Sequence, residues 1–181
     1  MADSVLVVPG STRTGSHNAA LGVAIVDRLV DRGVVAEFVD LRRFPLPLFD
    51  PQLEATHGVP AAARDLHDLL AAHTGLVIVS PEYNGSTSTL LKNTIDWISI
   101  CGTAALRRPV VALASASPSS KGGATGRASL RAMCDHMGVE LLDCELGLAR
   151  SHEVIVDGVI ADEQASAEID GFVAAIVGAF G

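Results

Sequence analysis

The chain has 181 residues, 49% apolar and 19% charged, with a net charge of −8. This balance excludes a disordered chain and predicts one domain with a full core. It also excludes nucleic acid as a partner, because phosphate backbones require clustered Lys and Arg. An anionic ligand must be held locally, against an unfavourable overall field.

Met1-Ala2-Asp3-Ser4 carries no basic leader region, and no apolar run approaches the roughly 20 residues of a membrane span. Cys101, Cys134 and Cys144 are an odd set without close spacing, so neither a disulfide framework nor a zinc site is expected. These features predict a protein of the reducing cytoplasm, away from membranes.

Strand and helix patterns then alternate. Val5–Val8 is a continuous apolar run of the kind buried in parallel sheets. Leu21, Ala24, Ile25 and Leu29 recur at helical spacing, with Gly33 at the C-terminal cap. Val34–Val39 reads as a second strand. Pro45, Pro47, Pro51 and Pro60 predict an irregular segment over residues 41–60, with Leu46, Leu48 and Phe49 folding back onto apolar surface. Ala62, Leu66, Leu69 and Leu70 mark a helix, with His73 on the same face and Gly75 as punctuation.

Leu76–Val79 is the third strand, and Leu91, Ile95 and Ile98 line the helix that follows it. Val110–Ala114 is the fourth strand, followed by a small-residue loop from Ser115 to Gly126. Leu130, Met133, Cys134 and Met137 form a helix stripe closed by Gly138. Val139–Leu142 reads as the fifth strand, and Val154–Val156 as a short extra strand or connection. Ile169, Phe172, Val173, Ile176, Val177 and Phe180 face a terminal helix inward. Five strands alternating with helices predict a doubly wound α/β sheet with helices on both faces. Ligands of such sheets bind beyond the strands' carboxyl ends, so the loops Pro9–Asn18, Pro81–Ser88 and Ser115–Gly126 should meet on one rim.

The first loop reads P-G-S-T-R-T-G-S-H-N. A strand, a loop of small hydroxyl residues and a helix start supply free N–H groups and a favourable dipole for an anion. Gly10 and Gly15 have triphosphate-loop spacing, but Ser16 and His17 stand where Lys and Ser/Thr are required. The loop therefore suits one terminal phosphate, with Arg13 as its only full charge. In the second loop Tyr83, beside Asn84 and Gly85, either walls a flat ligand or packs on its own turn.

Residues 10–18, G-S-T-R-T-G-S-H-N, together with 80–97, S-P-E-Y-N-G-S-T-S-T-L-L-K-N-T-I-D-W, resemble the NADPH-dependent FMN reductase family of flavodoxin-like proteins, which includes azo-, quinone- and chromate-reducing members. The resemblance implies a five-stranded parallel sheet of order 2-1-3-4-5 over residues 1–181. It further implies FMN as cofactor, NADPH or NADH as reductant, and a small-molecule acceptor: free flavin, quinone, azo compound or metal oxyanion. No protein group is expected to be catalytic, and no metal is expected.

Carried over, the resemblance assigns the FMN phosphate to Ser11, Arg13, Ser16 and Asn18, with His17 in reach. Pro81, Glu82, Tyr83, Asn84 and Gly85 would border the flavin ring, and Ser115, Ser117, Gly122 and Gly123 would close over its other side. Ser119-Ser120-Lys121 departs from the family's usual third loop. A homodimer or homotetramer is also implied, packed through helix 88–98, which is expected to expose Leu90 and Trp97; alternatively, Trp97 fills a gap inside the fold.

Two other readings compete. A flavodoxin-type electron carrier would bind FMN without oxidising nicotinamide. Cys101 and Arg107 have cysteine-phosphatase spacing, but run from a helix into a strand, where the dipole is unfavourable for a thiolate.

Overall fold

The computed structural model describes residues 3–108 and 110–180. Met1 and Ala2, which open the N-terminal stretch discussed above, lie outside the described residues. Five parallel strands form the sheet: β1 (Ser4–Pro9), β2 (Val35–Phe38), β3 (Gly75–Val79), β6 (Val110–Ala116) and β7 (Glu145–Leu148), in the order β2-β1-β3-β6-β7. This is the 2-1-3-4-5 order of a flavodoxin-like sheet. Two short hairpins interrupt the numbering: β4 (Glu82–Tyr83) with β5 (Ser86–Thr87), and β8 (Ile155–Val156) with β9 (Val159–Ile160).

Alternation along the strands builds two cores. Val5, Val7, Val77, Val79, Ala112 and Ala114 face α1 (His17–Asp31) and α7 (Glu163–Gly178). Leu6, Val8, Leu76, Ile78, Val111 and Leu113 face α3 (Ala61–Ala71), α4 (Thr89–Cys101) and α5 (Ala124–His136) on the other side. Period-2 alternation thus appears as an unbroken apolar run, because both faces are covered.

Several expectations are corrected. The fifth strand is Glu145–Leu148, not Val139–Leu142. Val139 is buried against the α3–α5 side, and the Leu142 N–H donates to the Val111 carbonyl at 2.8 Å, but this run does not join the ladder. The paired segment carries Glu and Gly, both unfavourable in strands. They are there because Glu145 binds Arg127 and Arg131 of α5, and Gly147 leaves room for a guanidinium.

Residues 51–57 form a helix, α2 (Pro51–His57), despite the surrounding prolines. Pro51 occupies its first turn, where a missing N–H costs nothing, and Asp50 accepts the Gln52 N–H as a cap. Gly75 belongs to β3 rather than ending a helix; a Cβ there would lie 2.8 Å from Phe180 Cζ. His73 follows α3, its Nδ1 2.9 Å from the Leu69 carbonyl. Ser115 and Ala116 continue β6 instead of opening the loop. Leu48 is exposed, so only part of the proline-rich segment folds back.

Trp97 is not exposed. It is fully buried beneath that segment, its Nε1–H donating to the Pro47 carbonyl at 2.8 Å, with Phe49 edge-on at 5.1 Å between ring centroids. Leu90 is half-buried.

Candidate active site

β1, β3 and β6 are neighbours in the sheet, so the loops at their carboxyl ends emerge side by side. The order of connection reverses between β1 and β3, and crevices form at such switch points. A cavity of about 420 Å³ opens there, lined by Ser11, Arg13, Ser16, His17 and Asn18 of the first loop, Pro81, Glu82 and Tyr83 of the second, and Ala116, Ser117 and Pro118 of the third. Its size falls in the usual range for cofactor sites.

The first loop is held from beneath. The Gly10 N–H donates to Val79 at 2.9 Å, extending the sheet ladder, and its carbonyl accepts the Ser88 hydroxyl at 2.8 Å. Ser88 also caps α4, so one side chain joins the loop to that helix. Ser16 caps α1 by accepting the Ala19 N–H. Among the described residues, the N–H groups of Ser11, Thr12, Thr14, Gly15, His17 and Asn18 find no acceptor. Arg13 is exposed, with only a long 3.4 Å contact to the Gly15 carbonyl. Free amides, a helix N-terminus and an unengaged guanidinium are the donor set that a single phosphate requires.

Asn18 lines the cavity and also ties the first loop's helix to the sheet. Its Nδ2 donates to the Ala116 carbonyl and its Oδ1 accepts the Ala116 N–H, both at 2.9 Å. These two bonds join α1 to β6 and leave the second Nδ2–H, with the backbone N–H, as donors on the cavity wall able to meet an anion.

The second loop is a two-residue hairpin. Asn84 (φ 52°) and Gly85 (φ 76°) provide the two positive φ angles that a type I′ turn needs. Tyr83 is 52% exposed, on the wall of the cavity. Glu82 turns its carboxylate to the start of α5 and accepts the Gly126 N–H at 2.8 Å. Asn84 and Gly85 do not border the main cavity; Asn84 faces an adjoining one of about 440 Å³, between the hairpin, α4 and α5, which shares Tyr83.

In the third loop only Ser117 of the predicted set lines the main cavity. Ser115 is fully buried behind it and donates to the Gly122 carbonyl at 2.5 Å. Arg127 completes this support by donating to Ser115 Oγ, to the Gly122 carbonyl at 2.7 Å, and to Glu145 at 2.9 Å. Gly122 and Gly123 both have positive φ and pack closely: added Cβ atoms would lie 2.5 Å from the Gly147 carbonyl oxygen and 2.7 Å from Ser115 Oγ. Burial pushes the Glu145 carboxyl up, but hydrogen bonds and charge from Arg127 and Arg131 outweigh it and hold the carboxyl below its ordinary value. Arg127 and Gly147 escaped the sequence reading because nothing in their local spacing marks them.

His17 is half-buried, with Nδ1 2.8 Å from the hydroxyl of the fully buried Ser151. Burial, then the positive charges of Arg13 and His152, depress its pKa. Cys101 ends α4, and burial pushes its thiol up, contrary to what a phosphatase nucleophile needs. Cys134 is raised to about 11, also by burial. No His, Cys, Asp and Glu cluster among the described residues could hold a metal, and no helix among them is long and apolar enough to cross a membrane.

The family described as NADPH-dependent FMN reductase matches residues 4–153. The chain belongs to this family. Like other NADPH-dependent FMN reductases it is an oxidoreductase, with FMN and a nicotinamide cofactor. It is 32% identical over 144 residues to a 2-hydroxy-1,4-benzoquinone reductase of a Burkholderia species, spanning 79% of this chain and 76% of that one. It is 31% identical over 131 residues to a quinone reductase of Escherichia coli K12, covering 70% of this chain and 66% of the relative. Among solved structures, FerB, a flavoenzyme NAD(P)H:(acceptor) oxidoreductase from Paracoccus denitrificans, superposes with a TM-score of 0.80 at 27% identity, covering 98% and 96% of the two chains. The cavity of this FMN reductase fits the cofactor: its unpaired loop amides and Arg13 suit the one phosphate, and Tyr83 supplies a flat wall beside it.

Proposed function

We propose that the protein takes hydride from NADPH or NADH and delivers the reducing equivalents to a quinone or free flavin at the rim of its sheet. The observation that carries this is the meeting of an anion-ready loop, Ser11 to Asn18, with the Tyr83 hairpin in one cavity. FMN, when bound, supplies the hydride-accepting ring, and the protein supplies binding and orientation.

Arg13 and the amides of Ser11 to Asn18 hold the phosphate, Ser16 keeps α1's N-terminus aimed at it, and His17 stands beside it. Pro81, Glu82 and Tyr83 border the ring on one side, with Ser117 and Pro118 on the other. The adjoining cavity next to Tyr83, walled by α4 and α5, admits the nicotinamide and the acceptor in turn. A homodimer packed through α4 and α5 would close that cavity, and a cytoplasmic location accords with the three free cysteines.

Replacing Arg13 with Ala removes a charge-assisted contact of about 1.5–3 kcal/mol. The dissociation constant for FMN should rise by roughly 10- to 100-fold, read by flavin fluorescence titration. Undiminished FMN retention by the variant would remove Arg13 from the phosphate site. Stopped-flow mixing with NADPH tests the reaction itself: rapid bleaching of bound FMN is expected, and a flavin that stays oxidised would mark a carrier rather than a reductase.

A further inference from the structure

We infer that His17 makes the site selective for a phosphorylated over an unphosphorylated flavin, by taking up one proton from solvent as the phosphate binds. This rests on the reading of the cavity as an FMN site.

The chain carries a net charge of −8, while a phosphate ester adds about −1.5 to −2 near neutral pH. Arg13 alone does not balance that charge. His17 is the next titratable group on the same wall, at the first position of α1 and beside Ser16.

Ser151 fixes the imidazole. It is fully buried, and its own N–H donates to the Ser117 carbonyl at 3.0 Å, which anchors the backbone that carries the hydroxyl 2.8 Å from Nδ1. A hydroxyl serves either protonation state: it donates to a bare Nδ1 and accepts from Nδ1–H. Protonation at Nδ1 therefore breaks no hydrogen bond, and Nε2–H remains a donor.

The charges around the ring set the direction. Burial first, then Arg13 on the loop and His152 on α6 (Ser151–Val154), disfavour the imidazolium while no anion is bound. Glu153 lies 3.6 Å from His152 Nε2 and also pairs with Arg150, so it does not offset Arg13. Glu82, on the opposite wall, is engaged by the Gly126 N–H. A bound phosphate reverses the balance by placing negative charge against the same ring, and the proton enters from solvent.

Linkage fixes the sign. A pKa higher in the complex than in the free protein strengthens binding at low pH, and the advantage is lost as pH rises through the complexed value. Each unit of difference is about tenfold in affinity. The phosphate's own second ionisation, near 6, acts on every variant alike, so the comparison of wild type with His17→Gln isolates the histidine.

The test is titration of the full chain with FMN and with riboflavin from pH 6 to 8, with calorimetry in two buffers of different ionisation enthalpy. The wild-type advantage over His17→Gln for FMN should fall by about tenfold across that range, and the wild type should take up more protons on binding FMN than the variant does, a difference absent with riboflavin. His17→Asn serves if the Gln variant does not fold. Equal proton exchange by wild type and variant on binding FMN, or a wild-type-to-variant ratio that is flat with pH, would overturn the inference and leave the FMN reading standing. Failure of the wild type to bind FMN would overturn both.

Discussion

Trp97→Ala should cost about 3–5 kcal/mol of stability, the range for truncating a fully buried large aromatic. The side chain has no exposed surface, and its loss removes packing on α4 together with the Nε1–H bond to Pro47. It also frees the edge of Phe49. Asn93 would be left to hold the segment alone, through its Nδ2 bond to Pro47 and its Oδ1 bond from the Phe49 N–H. For a chain of this size, roughly 2–4 °C of melting temperature follows each kcal/mol, so a loss on the order of 10 °C is expected. Since Trp97 is the single tryptophan, circular dichroism rather than fluorescence should follow the variant. Trp97→Phe keeps the ring and should cost far less. An alanine variant within 1 kcal/mol of the parent would contradict the packing described.

Gly147→Ala and Arg127→Met should damage one and the same contact. A Cβ on residue 147 would overlap the Arg127 guanidinium, which must shift out of its present contacts. Overpacking of this kind costs about 1–3 kcal/mol. Either substitution strips donors from Glu145, Gly122 and Ser115. The double variant should therefore lose little more than the worse single one, whereas independent sites would add. Additive losses in denaturant midpoints would separate the two residues.

Acid behaviour offers a second reading. The Glu145 carboxyl is held below its ordinary value of 4.5, so its contribution is full above that pH and lost as pH falls through the depressed folded-state value. Arg127→Met should make that loss shallower.

Where apolar pattern alone determines an element, the sequence was enough. The runs of β1, β2, β3 and β6 and the stripes of α1, α4, α5 and α7 are all visible at their spacing, and the motifs of residues 10–18 and 80–97 located the rim. The fifth strand was misplaced because Val139–Leu142 has the composition of a strand, while Glu145–Leu148 is held in the sheet by an ion pair with a distant helix. α2 was missed because proline was read as a breaker, where a cap at Asp50 makes it a starter. Trp97 was left with two readings, exposed on its helix or filling a gap inside the fold, because helical spacing shows that a second face is apolar but not what covers it; the structure buries it. In the site, the family resemblance assigned Asn18 and Ser115 to the cofactor, and the structure adds bonds the motif does not show, from Asn18 to Ala116 and from Ser115 to Gly122. Such partners lie 98 and 7 residues away and leave no local periodicity.

The rim is cross-tied at every loop: Ser88 to Gly10, Asn18 to Ala116, Glu82 to Gly126, and His17 to Ser151. Loops fastened in this way have already lost their conformational freedom when the chain folds. A ligand arriving there does not have to order them, so more of its contact energy remains as affinity. The same fastening means that a ligand pressing on Tyr83 pulls, through its neighbour Glu82, on the first turn of α5, so the cavity walls must yield together or not at all.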